Sequence, residues 1–241
     1  MRWPELIERS TSTVLAVPLG STEQHGPHLP LATDTDIAEA LAARLAVARP
    51  AVLVAPALPY GSSGEHAGFA GTLSIGQAAL EHVVVELVRS ADDFAGVVLV
   101  CAHGGNAEPL ARAEARLRSE GRWVLAWMPS SEGADAHAGR SETSMMLALD
   151  PAMVDATSAV AGNQQPIGAL LPALRIGGVR AVSANGVLGD PSGASATGGE
   201  SLLAELSADL VAAFDRRFGP VLPDLGHPGT DPVSERPRSR H

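Results

Sequence analysis

Residues Gly96–Cys101 read GVVLVC, a run without one polar side chain. A short apolar run of this kind suits a strand covered on both faces, and such strands belong to parallel sheets packed between helices. Thr13–Leu19, Ala51–Ala55 and Trp123–Trp127 share the pattern. Between and after them lie Ala-, Leu-, Arg- and Glu-rich stretches of helical length. Their spacing predicts helices over Asp36–Ala48 (capped by Asp34 or Thr35), Gln77–Arg89, Glu108–Glu120, Ser141–Leu149 and Leu202–Phe218. This β-α alternation predicts an α/β fold, a three-layer α/β/α arrangement with a mostly parallel central sheet. Residues 1–218 are expected to form a single domain. Gly162–Glu200, rich in Gly, Pro and Ser, is expected to be an elaborated loop region with one or two short strands. The Pro-rich stretch 219–241 is expected to be an extended tail.

Composition narrows the function. All 17 basic residues are Arg, against 27 acidic ones, giving a formal net charge of −10. Without a Lys, no Schiff-base or P-loop lysine chemistry is open to the chain. The acidic balance argues against a nucleic-acid partner, since phosphate contacts need a basic surface. No apolar run reaches the roughly 18 residues of a membrane span, so no membrane partner is expected. The lone Cys101 cannot make an intrachain disulfide, and the N-terminus lacks a signal-peptide pattern, so a cytoplasmic setting is expected.

Ligands of parallel sheets bind beyond the carboxyl ends of the strands. The unusual polar residues cluster there. The first predicted strand is followed by Glu23, His25, His28 and Asp34, the second by Glu65 and His66, the third by His103 and Asn106, and the fourth by Asp135, His137 and Glu142. Glu23 and His25, two apart in an extended segment, project to one side. A carboxylate beside an imidazole suits a borderline divalent metal, although a polar loop with surface histidines would look similar. After His103 come Gly104 and Gly105, with Asn106 placed to cap the next helix. Glu142 could complement a helix dipole as well as hold a metal. Together Glu23, His25, Asp34, His103 and Glu142, with His137 nearby, suit two divalent metals bridged by a carboxylate and a water. Competing chemistries are thinner: there is no G-x-S-x-G elbow and no G-x-G-x-x-G loop, and Cys101 reads as a buried end-of-strand residue rather than a nucleophile.

Five blocks, in order, are similar to those of the creatininase family of amidohydrolases: Val17–Asp34 (VPLGSTEQHGPHLPLATD), Gly61–Ser74 (GSSGEHAGFAGTLS), His103–Asn106 (HGGN), His137–Leu147 (HAGRSETSMML) and Asn185–Pro191 (NGVLGDP). The resemblance implies a metal-dependent hydrolase of amide bonds. It implies a first metal on Glu23, Asp34 and His103, and a second on His25, the bridging Asp34 and a glutamate. Creatininase itself draws that glutamate from just after the third-strand histidine; Gly105 stands there in this chain, which leaves Glu142. The metals implied are Zn, Fe or Mn. His137 is expected to pass a proton to the leaving amine as general acid, and Glu65, His66, Thr72 and Asn106 to contact substrate. The tryptophans that close over creatinine have no clear equivalents, so creatinine is not expected as substrate. The Asp135–Ser144 and Val182–Ala194 segments look most like a peptidase branch of the family, which implies a peptide substrate. Family enzymes are closed assemblies, so a homo-oligomer is expected. The other readings are a family hydrolase of a small cyclic amide or formamide, and a metal-binding scaffold without turnover.

Overall fold

The computed structural model describes residues 2–7, 9–129, 135–219 and 222. At its centre lie β1 (Val14–Leu19), β2 (Val52–Val54), β3 (Gly96–Cys101) and β4 (Val124–Trp127), all parallel in the order β2-β1-β3-β4. β1 and β3 pair along their whole lengths, from Val14 opposite Gly96 to Leu19 opposite Cys101. The helices are α1 (Thr33–Ala48), α2 (Gln77–Ser90), α3 (Ala107–Ser119), α4 (Arg140–Leu149), α5 (Ile167–Val182) and α6 (Ala196–Phe218).

The period-two alternation of a strand divides the apolar runs between two cores. Val14, Ala16, Val98 and Val100 pack with Leu41 and Leu45 of α1, Met146 of α4, and Leu203, Leu210 and Phe214 of α6. Val17, Leu19, Val97 and Leu99 pack on the other face with Leu80 and Val84 of α2 and with Leu110 and Leu117 of α3. Every residue of β3 is buried, as its composition requires. Each such Leu, Val or Phe contributes about 1.5–3 kcal/mol on leaving water.

The strand order positions the site. From β1 the chain crosses through α1 to β2, then returns through α2 past β1 to β3. The winding therefore reverses between β1 and β3, and a crevice opens beyond their carboxyl ends. The loops that follow Leu19 and Cys101 line that crevice.

Three expectations need correction. α1 begins at Thr33, so Asp34 is not its cap; Asp34 lies buried in the first turn, and Ala32 occupies the cap position without a side-chain bond. Asp34 is drawn inward because its carboxylate faces two histidines. The 162–200 region is not a loop with strands. It holds α5 and the first turns of α6, and among the described residues its strand content is one isolated bridge, Leu188 to His137. Pro172 and the non-helical Gly178 (φ 66, ψ −170) break α5 and hide its periodicity in the sequence. α6 starts six residues before the expected Leu202, capped by Ser195, whose Oγ accepts from Gly198 N–H at 3.1 Å. The glycines there serve packing: a Cβ on Gly199 would stand 1.9 Å from Ser144 O, so α6 rests directly on the α4 backbone. The expected tail lies outside the described residues apart from Gly219 and Leu222, and Leu222 is buried in the α1/α4/α6 core. Among the described residues no helix is long and apolar enough to cross a membrane.

Candidate metal centre

The site is assembled from the ends of elements. Glu23, Gln24 and His25 come from the loop after β1, Asp34 from the first turn of α1, and His103 from the residue pair after β3. Glu65 and His66 lie in a 3-10 turn, Gly64–His66, beyond β2. His137 precedes α4 and Glu142 lies in its first turn. Glu23, His25, Asp34, His66, His103 and His137 are all buried. Glu142, with 21% of its side chain exposed, is the wettest of the metal-type donors.

Donor atoms gather in three groups, each within 4.8 Å: Glu23 with Asp34 and His103, His25 with His137 and Glu142, and Glu23 with His66 and His137. His103 Nδ1 lies 3.2 Å from Asp34 Oδ2, and its Nε2 3.3 Å from Glu23 Oε2. His25 Nε2 lies 3.1 Å from Asp34 Oδ1 and 3.9 Å from Glu142 Oε2. Asp34 thus faces both His103 and His25, one oxygen to each. Glu23 Oε1 and Asp34 Oδ2 are buried without a hydrogen-bond partner. The ion-pair partners of Glu23 and Asp34 among the described residues are all histidines. Buried carboxylates with unpartnered oxygens need a cation, and a Glu/Asp/His donor set fits a borderline divalent ion.

The proton energetics agree. Burial and Asp34 push the Glu23 carboxyl up, but the His103 and His66 rings outweigh them and hold it at about 2. Burial also opposes ionisation of Asp34, yet His25 and His103 hold it well below the usual range. Burial works against charging His25, but the Asp34 and Glu142 carboxylates raise it to about 10. His103 is raised against the same penalty by Glu23 and Asp34. Burial raises Glu142 to about 7. Burial lowers His66 to about 4, and burial with the neighbouring His25 and His66 rings lowers His137 well below its ordinary value. The interior therefore holds two firm carboxylates and two neutral imidazoles.

A surrounding layer fixes these groups. Ser21 Oγ donates to Glu23 Oε2 at 3.0 Å. The main chain of His137 is bridged to Leu188, His137 N–H to Leu188 O and Leu188 N–H to His137 O. Ala138 takes φ 52, the one non-glycine residue at positive φ among those described, and its N–H donates to Glu142 Oε2. That bond serves the helix start and aims the carboxylate together. His28, at the end of the same HGPH segment, has its Nε2 2.9 Å from Thr143 Oγ1, tying the β1 loop to α4 beside Glu142.

The expected substrate contacts fare differently. Asn106 is fully buried and stands at the N-cap position of α3 without a side-chain capping bond. Its Oδ1 accepts from Ser62 N–H at 2.8 Å and its Nδ2 donates to Gly20 O at 3.0 Å, so its amide stitches the loops together and is closed to a ligand. Thr72 Oγ1 accepts from Gln24 N–H at 3.1 Å. Glu65 is partly exposed, with Oε1 3.7 Å from His103 Nε2. It fills the space beside Gly105, where an added Cβ would stand 2.3 Å from Glu65 Oε1. His66 Nε2 is 3.2 Å from Glu23 Oε1. Cys101 is buried, its Sγ 3.5 Å from Asn106 Nδ2, and burial raises its thiol. Sequence reasoning passed over Gln24, a polar residue set between Glu23 and His25; its place in E-Q-H was the available signal.

A cavity of about 580 Å³ adjoins the donors, with Glu142 and Gly104 in its wall. Ile37, Met145, Leu202 and Leu206 give it an apolar side, and Arg140 and Ser195 line it as well.

A parallel sheet with imidazoles and carboxylates converging at its switch point, beside a cavity of this size, defines a metal-binding α/β protein of hydrolase type. A family profile described as creatinine amidohydrolase matches residues 1–214. The chain belongs to the creatininase family. It is 52% identical over 200 residues to the mycofactocin precursor peptide peptidase of Mycolicibacterium smegmatis, covering 80% of this chain and 81% of that one. It is 51% identical over 218 residues to the protein of the same name from Mycobacterium tuberculosis, covering 86% of each. Among solved structures, creatinine amidohydrolase (creatininase) superposes with a TM-score of 0.73 at 27% identity, over 90% of this chain and 96% of that one. A structure named Creatininase Mn gives 0.73 at 28% identity with the same coverage.

Proposed function

We propose that the protein is a metal-dependent peptidase that removes the C-terminal modified Val-Tyr dipeptide from the mycofactocin precursor peptide. The observation that carries the hydrolase chemistry is the pair of unpartnered, buried carboxylate oxygens, Glu23 Oε1 and Asp34 Oδ2, set among imidazoles. The peptide substrate rests on the names of relatives about half identical over four fifths of the chain. Two divalent ions, Zn, Fe or Mn, fit this donor set: one on Glu23, Asp34 and His103, the other on His25, Asp34 and Glu142, with Asp34 shared. Bound there, they would lower the pKa of a water and polarise the scissile carbonyl.

The chain's own residues do the rest. Asp34 turns one oxygen to His25 and the other to His103, which would let it serve both ions. Glu142, aimed by Ala138 N–H, supplies the carboxylate that Gly105 cannot. His137 is neutral, and its Nδ1 is the atom placed to take a proton and pass it to the leaving amine. The cavity beside Glu142 receives the substrate. Residues 1–218 act as one catalytic unit, with Leu222 packed into the same core. The exposed Ile167, Leu171 and Ile176 on α5 support assembly into a homo-oligomer, and the free Cys101 suits the cytoplasm.

The test is incubation of metal-loaded protein with the matured precursor peptide and with creatinine, read by mass spectrometry. Release of the dipeptide is the expected result. Turnover of creatinine alone would overturn the peptidase reading, and turnover of neither would favour a scaffold.

A further inference from the structure

Gln24 is buried between Glu23 and His25 in the chain, and it meets two histidines at once. Its Oε1 accepts from Gly26 N–H at 2.8 Å. Its Nε2 lies 3.1 Å from Gly186 O and 2.9 Å from His66 Nδ1. The Gly26 N–H and the Gly186 carbonyl fix which end of the amide is which, since an N–H faces only an acceptor and a carbonyl faces only a donor. The amide therefore donates one hydrogen to Gly186 O and the other to His66 Nδ1. His66 Nδ1 then carries a lone pair, and its proton sits on Nε2, the atom 3.2 Å from Glu23 Oε1.

The main chain of the same residue sets the other ring. His137 Nε2 lies 2.8 Å from Gln24 O, a carbonyl that can only accept, so the His137 proton sits on Nε2. The Gln24 amide nitrogen, 3.1 Å from the same His137 atom, is a second donor, and the nearer carbonyl takes the bond. His137 Nδ1 is left with its lone pair 3.7 Å from Glu23 Oε1. The two rings lie with centroids 4.4 Å apart. One shows an N–H and the other a lone pair toward Glu23 Oε1.

We infer that Gln24 is a positioning residue for the hydrolysis proposed above: it fixes the tautomers of His66 and His137 so that they present opposite polarities to the centre. The inference rests on that proposed reaction for its purpose, but not for its geometry. It also accounts for the Asn185–Pro191 block. Gly186 takes φ 82, and a Cβ there would stand 1.9 Å from Gln24 Oε1, so glycine is what lets the 186 backbone reach the amide. Asn at position 24 would fall a methylene short, and Glu would set an oxygen against Gly186 O.

The experiment has two arms. In the first, zinc-loaded full-length protein labelled with 15N histidine is examined by long-range 1H–15N correlation. His66 and His137 are expected as Nε2–H tautomers, and a proton on Nδ1 of either ring would overturn the inference. In the second, Gln24→Met and Gln24→Glu are compared with wild type for metal content, kcat and KM. Partners that orient active groups are typically worth 10–100-fold in activity. The expected result is full metal content, KM within about twofold and kcat lower by that 10–100-fold. Unchanged kcat, or kcat lost only in step with metal, would overturn it. If neither variant folds, the wild-type tautomers still decide. A wild-type protein with these tautomers that hydrolyses no peptide would count against the proposed function alone.

Discussion

At the scale of the residue, His137 and Glu142 should fail in different ways. Both sit near the start of α4; the His137 main chain is bridged to Leu188, and the Glu142 carboxylate accepts from Ala138 N–H. His137→Ala should keep its metals and lose turnover by roughly 10²–10⁴-fold, the range for a positioned proton transfer. Glu142→Ala should lose one metal and activity together. Metal analysis beside peptide cleavage separates them, and near wild-type cleavage by His137→Ala would remove that ring from the mechanism. Cys101 offers a simpler check. Its thiol is raised by burial and enclosed by the core, so a thiol reagent should label it slowly in native protein and at the ordinary rate in denaturant. Rapid native labelling would show that the end of β3 opens.

At the scale of the element, the contact most exposed to a small change is α6 on α4. Gly199→Ala would drive a methyl into the Ser144 carbonyl. Overpacking of this kind costs about 1–3 kcal/mol, and because Glu142 stands only two residues before Ser144 on α4, metal retention should weaken along with stability. Denaturant midpoint and metal affinity measured on the variant test this; wild-type values for both would mean that α6 can slide. Within α6, Phe214 is fully buried with its ring 5.0 Å from that of Phe218. Phe214→Ala should cost about 3–5 kcal/mol, with no selective effect on the site beyond that loss.

At the scale of the whole molecule, metal and fold should be linked, because the donors come from the loops after β1, β2 and β3 and from the starts of α1 and α4. Chelation should lower the melting temperature and excess zinc restore it, by about 2.7 kcal/mol for an ion at a hundred times its Kd. The pH response should change sign with metal. His25 is raised in the folded chain to about 10, so its contribution is complete below its ordinary value near 6.5 and is lost as pH climbs toward 10. Glu142, raised to about 7, likewise favours the folded chain below about 4.5 and ceases to as pH passes 7. His66 and His137, lowered in the folded chain, work the other way and add stability as pH rises to about 6.5, so metal-free protein should lose stability between about pH 7 and pH 9. Loaded protein should gain over the lower part of that window, since binding needs deprotonated ligands. Parallel melting curves with and without chelator check both signs; the same slope in each would refute the linkage.

The sequence alone determined the parallel sheet and singled out most of the side chains that the fold gathers beyond β1 and β3. Runs such as Gly96–Cys101 have only one packing solution, and chemistry placed after strands has only one end of the sheet to occupy. It also announced Glu23, His25, Asp34, His103 and Glu142 through residue type and motif, since carboxylates and imidazoles declare themselves locally. Tertiary structure decided the rest. α5 was hidden because Pro172 and Gly178 read as loop punctuation, and its packing against the Gly64–His66 turn, Phe69 and Leu188 is visible only in the fold. Asn106 looked open to substrate until Ser62 and Gly20 claimed its amide from far along the chain. The place of Gln24 in E-Q-H marked the residue but not its partners, because His66, His137 and Gly186 are remote in sequence. A hydrogen bond between distant residues leaves no periodicity and no composition to read; it exists only once the fold has brought donor and acceptor to within about 3 Å.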